Sequence, residues 1–146
     1  MNPFKKRPPD FIIGASESPY MLRWWILPRN RWFNIYLHKI VRDDDDRALH
    51  DHPWPSLSWI ISGQLMEQVP DKRRLLKRSL LPVYRHPAFR HRLELVNNEP
   101  AKTIFVTGPR VRNWGFWCSG DRFVPWQEFV DPVDAGKAGR GCGEES

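Results

Sequence analysis

The sequence predicts an all-β protein, a sandwich or barrel of short strands. Three observations carry this: apolar and polar residues alternate in short windows, turn signals recur about every ten residues, and no window offers an amphipathic helix of useful length. Fourteen prolines and nine glycines in 146 residues supply the turns.

Residues 1–20 are rich in Pro, Lys and Ser and read as an arm with little regular structure, docked by Phe11, Ile12 and Ile13. The folded part is expected over residues 21–130. Phe33, Ile35 and Leu37 alternate with Asn34, Tyr36 and His38, a strand with period two. Asp43 to Asp46 then turn the chain, because four like charges repel and Asp favours turns. Leu57, Trp59 and Ile61 alternate with Ser58, Ile60 and Ser62 up to Gly63, which predicts a second strand with its apolar face inward. Gln64 to Val69 continues as a strand, turned by Pro70-Asp71-Lys72. Strands follow over Leu75 to Val83, His91 to Leu95, Thr103 to Thr107, Arg110 to Trp117 and Arg122 to Val130. Residues 131–146 hold four glycines and no aromatic residue, so they bury too little to offset their ordering entropy and are expected to be disordered.

Apolar residues make up 40% of the chain and charged residues 27%, a globular composition, and the length fits one domain with one core. The apolar run Trp24 to Leu27 is far short of the roughly 20 residues of a membrane span. Phe11 to Ile13 is too short for the about 7–15 residue core of a signal peptide, so export is not expected. Two cysteines make no disulfide framework; Cys142 lies in the Gly-rich tail, no structural bridge is expected, and a reducing cytoplasm is the simplest setting. The net charge of +6 permits contact with anions, but the basic residues are scattered as on a solvated surface. Trp24, Trp25, Arg29, Arg31 and Trp32 interleave aromatic and basic groups, yet no standard nucleic-acid-binding signature appears, so a nucleic-acid partner is not expected. No phosphate-binding loop and no nucleophile elbow is present.

The chemistry concentrates in the histidines. His50 and His52 are two apart; on a strand both project from one face while Asp51 points away. Two such imidazoles can chelate one ion. His91 heads another strand whose same-face neighbours are Leu93 and Leu95, and a histidine in such company needs a ligand or a polar partner. Either the histidines bind a metal or they are packed, hydrogen-bonded polar groups of the core.

The segment His50-x-His52-x3-Ser56-x6-Gly63 resembles the first cupin motif, G-x5-H-x-H-x3-E-x6-G, with Asp44 at the first glycine and Ser56 in place of the glutamate. The second motif, G-x5-P-x-G-x2-H-x3-N, is matched loosely: His91 stands at its histidine, Ala88 at its second glycine and Leu95 at its asparagine. The phrase His50-Asp51-His52-Pro53-Trp54, with Gly108-Pro109-Arg110 and Trp114-Gly115-Phe116-Trp117, is similar to small cupin-like proteins of bacteria and their phages. The resemblance implies a double-stranded β-helix, or jelly-roll barrel, and the ligand set His50, His52 and His91. Such a set resembles that of the thiol dioxygenases, which implies Fe(II), with Zn(II) or Ni(II) as alternatives. Homodimers are common among small cupins, which implies a possible homodimer here.

Around this centre, Tyr36 and His38 share a strand face and are candidate acid–base groups; Arg110, Arg112 and Trp114 share another, where an arginine can grip a carboxylate or phosphate. Each also reads as packing or solvated surface. Glu67 is a candidate fourth ligand or base. Three functions follow: a metal-dependent oxygenase acting on a small polar molecule, a metal-dependent isomerase or lyase, and a non-catalytic binding module.

Overall fold

A computed structural model describes residues 7–15, 18–43, 48–118, 121–130 and 142. Among them the chain forms β1 (Phe11–Ala15), β2 (Ser18–Trp25), β3 (Asn34–Ile40), β4 (Leu49–His50), β5 (Ser56–Ser62), β6 (Leu65–Gln68), β7 (Arg73–Leu76), β8 (Val83–Arg85), β9 (Arg92–Leu95), β10 (Ala101–Thr107), β11 (Gly115–Cys118), β12 (Arg122–Pro125) and the single helical turn α1 (Trp126–Phe129). The all-β expectation holds.

One six-stranded sheet runs β1-β2-β3-β10-β5-β8, and two three-stranded sheets run β12-β11-β4 and β7-β6-β9. A backbone bridge joins the two smaller sheets. His50 N–H donates to His91 O at 2.9 Å and His91 N–H to His50 O at 3.0 Å. The small sheets thus meet along one seam, and that seam carries two of the candidate ligands. Gly63 turns the chain from β5 into β6 with φ +77, and a Cβ there would sit 2.7 Å from Pro100 O, so only glycine serves.

The sheets pack face to face. Tyr20, Met21, Ile40, Ile60 and Ala101 of the large sheet meet Leu65 and Leu76 of the small one, with Leu93 and Leu95 against them. A second cluster of Ala48, Phe116, Cys118, Val124 and Phe129 seats α1.

Several sequence expectations change. The arm read over residues 1–20 contains β1 and the start of β2; β1 pairs antiparallel with β2, Phe11 opposite Arg23. Its alternation was masked by the Gly14/Pro19 irregularity. Leu75 to Val83 is not one strand: β7 ends at Leu76 and β8 begins at Val83. Arg122 to Val130 is a strand only to Pro125, after which α1 begins. The period of β5 is right and its phase is inverted. Ser56, Ser58 and Ile60 are buried while Ile61 is 42% exposed. The interior at this point is polar, and Ser58 Oγ accepts a hydrogen bond from buried Arg85 Nη1 at 2.9 Å.

The expectation of no bridge is overturned: Cys118 pairs with Cys142, with Cα atoms 5.9 Å apart. Cys118 ends β11 with its side chain in the α1 cluster, where Cys142 also packs. A Gly-rich spacer sets no bar to such a return, because loop closure costs little more for a longer loop. Apart from Cys142, the expected disorder of residues 131–146 lies outside the described residues, as do Asp44 to Asp46 of the expected acidic turn. Among the described residues no helix is long and apolar enough to cross a membrane.

Candidate metal centre

Three imidazoles meet where the small sheets join. Ring centroids lie 5.1 Å apart for His50 and His52, 4.8 Å for His50 and His91, and 5.1 Å for His52 and His91. One ligand nitrogen from each falls within 4.8 Å of the others. β4 ends at His50, so His52 does not owe its direction to strand alternation as the spacing suggested. Its N–H donates to Pro87 O at 3.0 Å, and its ring stacks on Trp54 at 5.0 Å.

Asp51, between the two, faces away from the rings and is fully buried. It accepts from Gly115 N–H at 2.9 Å, Trp117 Nε1–H at 3.0 Å and Arg112 at 2.8 Å. This clamp ties the His50–His52 segment to β11. Arg112 is drawn to Asp51: Nη1 pairs with that carboxylate and also reaches His52 O at 3.4 Å. Arg110 is exposed and touches Asn113 Oδ1 at 3.4 Å. Trp114 stacks on Trp126 and packs against Phe116 in the α1 cluster. The strand expected over Arg110 to Trp117 begins only at Gly115, so alternation could not aim Arg110, Arg112 and Trp114 together.

Glu67 is the second supporting group. It is fully buried on β6, and its Oε1 lies 2.6 Å from His91 Nδ1. Arg85 Nε donates to the same oxygen at 2.7 Å, and Arg74 Nε donates to Oε2. Burial would raise the Glu67 pKa, but the hydrogen bond from His91 and the charge of Arg85 outweigh it and hold the carboxyl well below its usual range. An ionised carboxylate accepts, so Nδ1 of His91 carries the proton and Nε2 keeps its lone pair. Glu67 is thus no fourth ligand; it fixes the tautomer and angle of one.

The orphaned atoms agree with a metal. His91 Nε2 and His52 Nδ1 are buried ring nitrogens with no hydrogen-bond partner among the described residues. Burial pushes the His91 imidazole down to about 3, against the pull of Glu67. It also pushes His52 well below the usual value, with the nearby His91, His50, Arg85 and Arg23 adding to the effect. Neutral imidazoles with free lone pairs are what a divalent ion requires.

The opposite wall is the large sheet. Tyr36 and His38 are both buried, with rings stacked at 5.7 Å. His38 packs on Phe105 at 5.1 Å, and Phe105 lies 6.4 Å from His52. The same wall carries Arg23, whose Nε donates to His38 Nε2 at 2.9 Å. Sequence reasoning passed over Arg23, although a lone charge in Met21-Leu22-Arg23-Trp24-Trp25 is itself a signal.

No protein-family model and no curated protein matches the chain. Solved structures do. An uncharacterized conserved protein with a double-stranded beta-helix domain from Klebsiella pneumoniae matches at TM-score 0.55 and 17% identity, covering 72% of this chain and 90% of that one. The Cupin_2 domain of an XRE family transcriptional regulator from Enterobacter cloacae matches at TM-score 0.50 and 15% identity, covering 62% and 99%. Fe(II) HppE matches at TM-score 0.55 and 15% identity over 66% of this chain, which spans only 54% of the HppE chain. Identities this low speak for architecture alone. The chain has the cupin fold, a double-stranded β-helix, with His50, His52 and His91 gathered on one of its inner walls.

Proposed function

We propose that the protein is a metal-dependent cupin enzyme of the oxygenase type, with Fe(II) held by His50, His52 and His91 and a small polar molecule as substrate. The observation that carries this is the convergence of three imidazoles, one of them locked by Glu67 with its Nε2 unpartnered among the described residues. A three-histidine facial set leaves positions open for substrate and dioxygen. An Fe(II) ion bound there would supply dioxygen activation. The chain's own part is to hold the His52 and His91 imidazoles neutral, to keep the ligand angles through Glu67 and Asp51, and to line the facing wall with Phe105, Trp54, Tyr36 and His38. Of the structures with this fold, HppE contains Fe(II), which favours iron over Zn(II) or Ni(II).

The test is metal analysis of untagged protein followed by oxygen-electrode assays with small thiols and 2-oxo acids. We expect close to one iron per chain, loss of iron in His91→Ala, and substrate-dependent oxygen uptake. A folded His91→Ala variant with unchanged metal content removes the ligand set. Bound metal with turnover that ignores oxygen replaces the oxygenase by an isomerase or lyase, in which the ion polarises a carbonyl. Folded protein that takes up no divalent ion leaves only a binding module.

A further inference from the structure

Two arginines stand on the inner face of the large sheet, and only one is neutralised. The register shows that they share this face. Arg23 lies opposite His38, His38 opposite Thr103, and Thr103 opposite Ile60. Two residues along, Tyr36 pairs with Phe105 and Phe105 with Ser58; further on, Thr107 pairs with Ser56 and Ser56 with Arg85. Directly opposed residues project to the same side. Arg85 reaches across to Glu67 and so to His91. Arg23 therefore faces the same interior as the imidazoles.

Arg85 is answered by a carboxylate. Arg23 has no acidic partner among the described residues. Its Nε–H goes to His38 Nε2 at 2.9 Å, and its guanidinium carbon lies 4.5 Å from the centre of the Tyr36 ring. A guanidinium has five N–H donors; the two terminal amino groups find no acceptor among the described residues. The Tyr36 side chain beneath it is only 3% exposed. His38 must be neutral to accept from Arg23, and both burial and the Arg23 charge keep it so. The cation is held rigidly from one edge, with its other edge unused.

We propose that Arg23 is the anion-recognising residue of this site, positioned by His38 and Tyr36, so that the molecule taken in front of the three histidines carries a carboxylate or phosphate group. Two parallel N–H donors match two oxygens of either anion. This deepens the function proposed above, whose small polar substrate it makes a small organic anion. It also reassigns His38 and Tyr36 from acid–base work to positioning.

The test uses the full-length metal-loaded protein and three probes of similar size: propionate, methyl phosphate and the neutral propionamide. Binding is read by calorimetry, with metal content and melting temperature measured on each variant. At least one anion is expected to bind, propionamide at least tenfold more weakly. Arg23→Gln is expected to weaken anion binding tenfold or more at unchanged metal content, and Arg23→Lys to weaken it less. Which anion binds more tightly assigns the carboxylate or the phosphate. If Arg23→Gln destabilises the fold, His38→Gln, which keeps an acceptor for Arg23, serves in its place and should weaken binding less than His38→Phe. Equal affinity in wild type and folded Arg23→Gln, or no preference for anions over propionamide, overturns the proposal. Anion binding that needs Arg23 in a protein that never consumes oxygen sustains this inference while removing the oxygenase.

Discussion

Glu67 concentrates more consequences than any other side chain outside the ligand set. It answers His91, Arg85 and Arg74 from a fully buried position. Glu67→Ala leaves a buried guanidinium and an imidazole N–H unanswered. We expect a loss of about 3–5 kcal/mol in urea denaturation, as for breaking one side of a buried ion pair. Glu67→Gln keeps the shape but weakens the pull on His91 Nδ1, and should lower metal affinity about 10–100-fold in competition titrations. The neutral histidines set the pH response of the metal-free protein. Burial depresses His38, His52 and His91, so the folded state binds fewer protons than the unfolded chain. Their contribution is complete above the unfolded histidine pKa of about 6.5 and is lost as pH falls, at about 1.4 kcal/mol per pH unit for each. Stability measured by denaturation should therefore drop by roughly 4 kcal/mol per unit between about pH 6.5 and 5. Glu67 adds to the loss only below its unfolded value of about 4.3, because its folded pKa is depressed. A flat profile across that range would mean that these imidazoles are solvated.

At the scale of elements, the sequence motif and its support lie on different strands. His50 and His52 sit at and just beyond the end of β4, where no sheet pairing controls His52. Control comes from Asp51, which binds Gly115 N–H and Trp117 Nε1 on β11 and Arg112 just before it. Asp51→Ala is expected to cost about 3–5 kcal/mol, since a partly buried arginine and two donors lose their acceptor. It should also weaken metal binding although Asp51 is not a ligand, a combination that denaturation and metal titration together would detect. The spacing of His50, His52 and Gly63 was legible because it is local. Asp51 was read only as pointing away, because its partners lie about sixty residues on and local pattern carries no information about them.

For the whole molecule, the centre lies on the joint between the two smaller sheets, made by the His50–His91 backbone bridge. An ion bound by side chains from both sides of that joint pins the sheets together. It should stabilise the fold by about 2.7 kcal/mol at a free concentration a hundred times Kd. Thermal melts with Fe(II) or Zn(II), under anaerobic conditions for iron, should shift upward, and a chelator should reverse the shift. Melts identical with and without ions in wild type and in His50→Ala would show that nothing binds across the joint.

The sequence by itself determined the all-β class, the turns, the first cupin motif and the histidines that meet, since strand period and motif spacing are properties of neighbouring residues. It could not determine the phase of β5, the fate of Arg112, the pairing of Cys118 with Cys142, or the exposed edge of Arg23. Those depend on which face of each strand looks inward and on what the opposite sheet presents. An interior that holds Glu67, Arg85 and three imidazoles accepts Ser56 and Ser58 and turns Ile61 outward, reversing the rule that apolar faces point in.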